Sequence, residues 1–502
     1  MDKFDVVVLG AGNAALCAAL AAAEGGARVL VLERAPQDER GGNSWFSSGS
    51  FRIAYKGVSD ITKLIPDLSQ AELEMTDFGS YTEEAFYDDL SRLSHFRADP
   101  ELIDTLVTKS FDTAMWMQRN GVRFIPIYGR QAFKQNGRFK FWGGLTVETV
   151  GGGRGLIDSL FKAIEKRRVT VVYAARGVRL TMAVGKIAGI EYLQHGISHH
   201  VAAPAVILAS GGFHANAQWR ARYLGVNWDL AKPRASRFST GDGIQMALDA
   251  GAMSWGHWSG CHAVAYDRNA PDFGDPDIIG QQKNNFPLGI IINNKGQRFF
   301  DEGADFRNYI YATLGRAILS QPGGEAWQVF DQKVTPLLND TYRIKQVTKV
   351  EANTIEELAQ KMEGVDAEGF IDEVRNFNAA VNTVAPFNPN IRDGRGTSGL
   401  VVKKSNWANT LDAPPFIAFA VTTGVTFTYG GLRINSDSEV ISTEGAKIPG
   451  LYATGELVGG LYYVNYPGGA GLTSGAVFGR SAGQSACKYV GLSDLAPVSP
   501  TL

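Results

Sequence analysis

Phe4-Asp-Val-Val-Val-Leu-Gly-Ala-Gly-Asn-Ala-Ala15, then an alanine-rich run, then Ala27-Arg-Val-Leu-Val-Leu-Glu33-Arg34, decides the fold. An apolar strand, Val6 to Leu9, runs into Gly10, Gly12 and the small Ala15. A helix follows from about Ala14 to Glu24, and a second strand, Val29 to Leu32, ends at an acid. Each part has a physical task in holding a dinucleotide. Gly10 permits the tight turn, Gly12 lets backbone approach a pyrophosphate, and Ala15 keeps helix and strand close. The helix start, at Asn13 and Ala14, offers unpaired N–H groups and a partial positive charge to phosphates. Glu33 stands where a carboxylate accepts hydrogen bonds from a ribose, with Arg34 beside it. Strand, turn, helix, strand and acid in register are far more specific than a glycine triplet alone.

The rest of the chain selects the dinucleotide. Gly41-Gly42-Asn43-Ser44 soon follows the ribose acid and would bring more backbone N–H groups to a pyrophosphate or flavin. Val169 to Leu180 reads as a β run whose end, at Val178, reaches an adenine. Val206-Ile-Leu-Ala-Ser210-Gly211-Gly212-Phe213 is another strand-to-glycine turn, and Ser239-Thr-Gly-Asp242-Gly opens a further helix. Near the end, Leu451-Tyr-Ala-Thr-Gly455-Glu456 closes a strand on glycine and an acid. Gly468-Gly-Ala-Gly471-Leu472-Thr473 then starts a small-residue helix. Its N-terminus suits the negative charge of a reduced flavin. A cofactor gripped by both ends of the chain is FAD-like, because FAD is long and lies extended. Gly151-Gly-Gly-Arg-Gly155 lacks a leading apolar strand and a following acid-ended strand, so it reads as a turn. One complete fingerprint rather than two argues against a second nucleotide such as NAD(P)H. Electrons are therefore expected to reach a partner protein, a quinone or oxygen.

The 502 residues leave room for two or three domains. The expected fold class is α/β: a discontinuous Rossmann-like FAD-binding domain with an inserted α+β capping domain. The FAD domain is placed at 1–256, with a helical excursion at about 60–140, and at 413–502; the cap is placed at 257–412. A net charge of -2 gives no electrostatic case for nucleic acid or an anionic membrane. No apolar stretch is long enough to cross a bilayer. Three distant cysteines, Cys17, Cys261 and Cys487, suit a reducing compartment, and the early first strand leaves no room for a signal peptide. The expected location is cytoplasmic.

These motifs resemble the flavoprotein superfamily of succinate dehydrogenase and fumarate reductase, with 3-ketosteroid dehydrogenases as relatives. The resemblance covers most of the chain, including Ser210-Gly-Gly-Phe213, Thr240-Gly-Asp-Gly243, Asn293 to Glu302, Thr428-Tyr-Gly-Gly-Leu432 and the final helix. Trp258 to Val264, Gly303 to Tyr309 and Asn465 to Leu472 look like its tricarballylate dehydrogenase branch. The resemblance implies oxidation of a carbon–carbon single bond beside a carboxylate. Three departures argue against a true fumarate reductase. Phe427 stands where those enzymes carry a histidine, Tyr466-Pro467 where they carry an arginine, and Asp331 to Thr335 holds no arginine for proton donation. Tyr466-Pro-Gly is instead similar to a ketosteroid dehydrogenase motif. No histidine lies in Gly41 to Ser50, where relatives attach flavin, so non-covalent FAD is expected.

Dehydrogenation at a flavin needs a base for one proton and donors for the enolate-like charge beside the carboxylate. Arg307 is the expected carboxylate anchor through its planar fork, with a salt bridge to Asp305 or Glu302 as the rival reading. His262 falls close to a substrate-binding histidine of the relatives. Tyr466 is the expected base, and a phenol in that role needs a nearby cation. Thr428, Tyr429 and Tyr309 are further candidates for the same pocket. No metal site is expected. A ketosteroid-type dehydrogenase, a fumarate-reductase-like enzyme and a non-catalytic flavoprotein electron carrier are the alternatives.

Overall fold

In the computed structural model, which describes residues 3–141, 144–275 and 280–492, Val6–Leu9 (β1) and Val29–Leu32 (β2) are fully buried strands. The outermost ends of the expected FAD domain, 1–2 and 493–502, lie outside the described residues. Unbroken apolar runs suit strands covered on both faces. Helix Asn13–Glu24 (α1) joins them. Gly10 makes the turn with φ +107, and a Cβ there would lie 2.5 Å from the Ala209 carbonyl oxygen. β1 lies parallel to β2 on one side and to Ala205–Leu208 on the other, and β2 lies parallel to Thr170–Val172 (β3). Ala205–Leu208 (β4) in turn pairs in parallel with Lys447–Ala453, and Glu439–Ile441 closes that edge antiparallel. The C-terminal segment thus completes the sheet that the N-terminus begins.

The expected β run from Val169 to Leu180 is broken. Ala174 adopts a left-handed conformation (φ 53), so Thr170–Val172 stays in the main sheet. Ala175–Ala183 leaves for a separate three-stranded antiparallel sheet. The stretch expected as a helical excursion holds mainly helices up to Arg119, and then strands at Phe124–Pro126, Ala132–Gln135 and Arg138–Phe141 with the short helix Tyr128–Gln131 between the first two.

A second, mostly antiparallel sheet is built on two long strands, Ser254–Asp267 (β5) and Phe416–Leu432 (β6). β6 also pairs with Glu325–Phe330 and Lys349–Ala352, and in parallel with Lys232–Pro233. The divisions placed at 256/257 and 412/413 fall in or beside these shared strands. Helix Arg307–Leu319 (α2) packs on β5. The C-terminal helix Ala470–Tyr489 (α3) crosses α1, and its small residues allow close approach: a Cβ on Gly479 would meet the Ala14 carbonyl at 2.4 Å. Among the described residues no helix is long and apolar enough to cross a membrane.

Candidate flavin and substrate site

One elongated cavity runs past the C-terminal ends of β1, β2 and β4, where ligands settle in open α/β sheets, and on to the second sheet. Its first end is lined by Glu33, Arg34, Arg176 and Asp242. Glu33 is buried and accepts the Ala35 N–H at 2.7 Å. Burial raises its carboxyl to about 7 against the lowering effect of N–H groups of Ala35, Ala11 and Arg34. Its remaining lone pairs suit ribose hydroxyls. Asp242 binds Arg34 at 2.5 Å and Arg176 at 2.8 Å, so both cations here have an acidic protein partner.

The middle is backbone. Gly10, Gly12, Asn13, Ala14, Gly42, Asn43 and Ser44 line it beside the N-terminus of α1, and Ser44 Oγ accepts the Asn13 N–H at 3.1 Å. A Cβ on Gly12 would meet no protein atom closer than 3.6 Å, so that space is open to a ligand. Ser210 lines the cavity with a buried hydroxyl that has no partner among the described residues, and Gly211 follows it.

At the far end Gly455, Glu456, Gly471 and Leu472 line the wall at the N-terminus of α3. Glu456 accepts the Thr428 N–H at 2.9 Å and an Asn43 amide N–H at 2.9 Å, and His214 Nδ1 lies 3.0 Å away. Asn13 donates to the Leu472 carbonyl at 2.8 Å, tying the two helix starts together. A ribose acid, one helix start at the middle and a second at the far end fit the length and charge of FAD. Four residues expected at the cofactor stand behind this wall. Ala15 is fully buried on α1, Gly212 abuts Thr428 and Glu456, and Thr473 accepts the Arg52 N–H through its hydroxyl. Val178 gives way to Arg176 and Gly177, because the break at Ala174 shifts which residues reach the cavity.

Beyond the flavin end, Arg307, Asn308 and Tyr311 line the cavity from α2, with Gln282, Asn284, Asn339 and Thr341 around them. Positions i and i+4 of a helix share a face, which brings Arg307 and Tyr311 together. Arg307 is buried; Asp305 pairs with Arg92 and Glu302 with Arg298. Tyr466 lines the opposite side, and its hydroxyl lies 2.5 Å from that of Tyr311. Burial raises both phenols above their ordinary range, against the lowering effect of Arg234, so both are protonated at neutral pH.

Three expected pocket residues lie outside the cavity lining. Tyr309, two positions along α2 from Arg307, points away and donates to Asp89 at 2.7 Å. Tyr429 is buried behind Phe427 and Tyr462, its hydroxyl without a partner among the described residues. His262 is packed behind Phe427, Tyr311 and Tyr466, with ring centroids 5.3, 4.8 and 4.9 Å away. Neither of its nitrogens has a partner among the described residues, and burial, then Arg234, hold it well below its ordinary pKa, hence neutral. Thr428 does line the cavity.

Among the lining residues that the sequence reading does not name are Tyr311 and Arg234. The i, i+4 spacing from Arg307 was a signal for Tyr311. Arg234 gives none, being one of three basic residues in the loop-like Lys232 to Arg237 stretch. No group of three metal-ligating side chains occurs among the described residues.

An extended dinucleotide cavity that opens into a chamber carrying arginine and tyrosine defines a flavoprotein oxidoreductase. Residues 5–472 match the FAD binding domain family, and the chain belongs to that family, within the succinate dehydrogenase and fumarate reductase flavoprotein superfamily. It is an FAD-dependent oxidoreductase. The chain is 28% identical to a fumarate reductase (cytochrome) of Shewanella frigidimarina, across 97% of this chain and 78% of the relative. It is 27% identical to the vinyl phenol reductase of Lactiplantibacillus plantarum, across 97% of each. Among solved structures, 3-ketosteroid delta1-dehydrogenase from Sterolibacterium denitrificans superposes with a TM-score of 0.74 at 21% identity, covering 97% of this chain and 100% of that one. At that identity the likeness speaks to fold.

Proposed function

We propose that the protein dehydrogenates a carbon–carbon single bond beside a carboxylate, on a tricarballylate-like acid, and passes the electrons to a separate acceptor. The observation that carries this reading is Arg307 in a polar chamber with Asn308, Gln282, Asn284, Asn339 and Thr341, at the flavin end of the cavity. Such a lining suits an acid far better than a steroid skeleton, which needs apolar walls. Arg307 holds a carboxylate by two parallel N–H···O bonds and draws charge toward it as the adjacent C–H bond breaks. The Tyr466–Tyr311 pair handles the proton. Bound FAD, held without a covalent bond, supplies the hydride acceptor.

A second reading, reduction of a double bond in an unsaturated acid, has one observation in its favour. Both phenols rest protonated, so the pair is set to give a proton rather than take one. In the dehydrogenating direction a phenolate must form first, and Arg234 is the cation that favours it. The test is Arg307→Ala in FAD-loaded protein. Turnover of an acid is expected to fall about 100-fold or more while bound FAD stays unchanged. Wild-type kinetics in that variant would remove Arg307 from the site.

A further inference from the structure

Several other sheltered guanidinium groups of the fold are matched by protein acceptors. Arg34 has Asp242, Arg52 has Asp89, Arg298 has Glu302, and Arg220 donates to carbonyls of His214, Trp228, Asp229 and Ala231. Arg234 is different. It lines the cavity from the loop after Lys232–Pro233, and its Nε–H donates to Thr426 Oγ1 at 2.7 Å. One Nη reaches only the Gln282 side-chain oxygen, at 3.4 Å, and no carboxylate lies within 4.0 Å of it among the described residues. A guanidinium does not lose its proton in proteins, so a sheltered positive charge faces the chamber without a counter-ion. Holding such a charge is costly unless a ligand brings the matching anion. Its neighbours place it at the substrate end: Tyr311 and Tyr466 feel its charge, and Thr426 directly precedes Phe427 on β6.

We infer that Arg234 is a second carboxylate-binding residue, so that the substrate carries two acidic groups, one held by Arg234 on the sheet side and one by Arg307 on the α2 side. The reacting carbon–carbon bond then lies between two fixed ends, beneath the Tyr466 hydroxyl. This rests on the carboxylate reading above and narrows it to diacids and triacids. It also makes Arg234 specificity-determining, because a monoacid held at Arg307 leaves the Arg234 charge without a counter-ion.

Succinate and butanoate, four-carbon acids that differ by one carboxylate, provide the test. Their dissociation constants are measured from the difference spectrum of the bound flavin in FAD-loaded wild type, Arg234→Gln and Arg234→Lys. Wild type is expected to bind succinate about 100-fold more tightly than butanoate. Arg234→Gln should bring that ratio close to one. Arg234→Lys, which keeps the charge and loses the fork, should lower it about 10-fold. A ratio unchanged in either FAD-loaded variant overturns the role of Arg234 and leaves the carboxylate reading standing. Should wild type bind neither acid, nor tricarballylate, both the inference and the reading beneath it fail. If Arg234→Gln does not retain FAD, the lysine variant alone decides.

Discussion

The two ends of the cavity handle charge in opposite ways. At the end that Glu33 lines, Arg34 and Arg176 are both bound to Asp242, and the buried Glu33 carboxyl accepts the Ala35 N–H. That end is fixed before any ligand arrives. At the substrate end Arg234 has no acidic partner among the described residues, and His262 and Tyr429 have buried polar atoms without partners. Residues that must fit one unvarying cofactor can be satisfied by each other. Residues that must meet a reacting molecule are left with capacity to spare, and the cost of that is borne by the surrounding packing.

The contrast gives a rule for variants: changes at the Glu33 end should act on FAD retention, and changes at the substrate end on turnover. The largest expected effect is at Tyr466. Tyr466→Phe should slow flavin reduction or its reverse by about 100- to 10,000-fold with normal FAD content, as read by rapid-mixing spectroscopy. Normal rates there, or lost FAD, would blur the distinction between the ends. Tyr311→Phe should slow the same step by about 10-fold, because it removes the hydrogen bond that eases ionisation of Tyr466.

Next comes a pair of glycines two residues apart. Gly10→Ala should destabilise the FAD-free protein by about 1–3 kcal/mol, because φ is +107 and the new Cβ meets the Ala209 carbonyl at 2.5 Å. Gly12→Ala should leave FAD-free stability within about 1 kcal/mol and weaken FAD binding, since its Cβ enters space left for the ligand. Denaturant melts of apo protein and FAD titration separate the two, and equal destabilisation would contradict this reading of the turn.

The smallest effect is a pH dependence at Glu33. Its carboxyl is raised to about 7 in the fold, so the folded state binds a proton that the unfolded chain releases. Its contribution to stability is present below the ordinary glutamate pKa of 4.5 and is lost as pH rises toward about 7. The FAD-free melting temperature should therefore fall across that window, and Glu33→Gln should flatten the slope. An unchanged slope in the variant would show that Glu33 is not the titrating group.

How much could be read in advance follows the same division. The strand, turn, helix and acid at the first end of the cavity were legible because they lie within thirty-odd residues, and local geometry carries their spatial relation. The C-terminal helix start was legible too, from its glycines and small residues. The break at Ala174 was not, since an alanine with φ 53 leaves no composition signal. At the substrate end the contacts join distant parts of the chain. Arg234 meets Thr426 across 192 positions, and Tyr311 meets Tyr466 across 155. Nothing in the local sequence sets such pairs. Tyr309 was expected at the site and Tyr311 was not, a choice that depended on the direction of one helical face.

Anaerobic mixing of the FAD-loaded protein with tricarballylate, succinate and a 3-ketosteroid, followed at the absorbance band of oxidised flavin, bears most directly on the proposed activity. The band should bleach with a carboxylate and persist with the steroid. Bleaching by the steroid alone would contradict the carboxylate site and move the activity to the ketosteroid class.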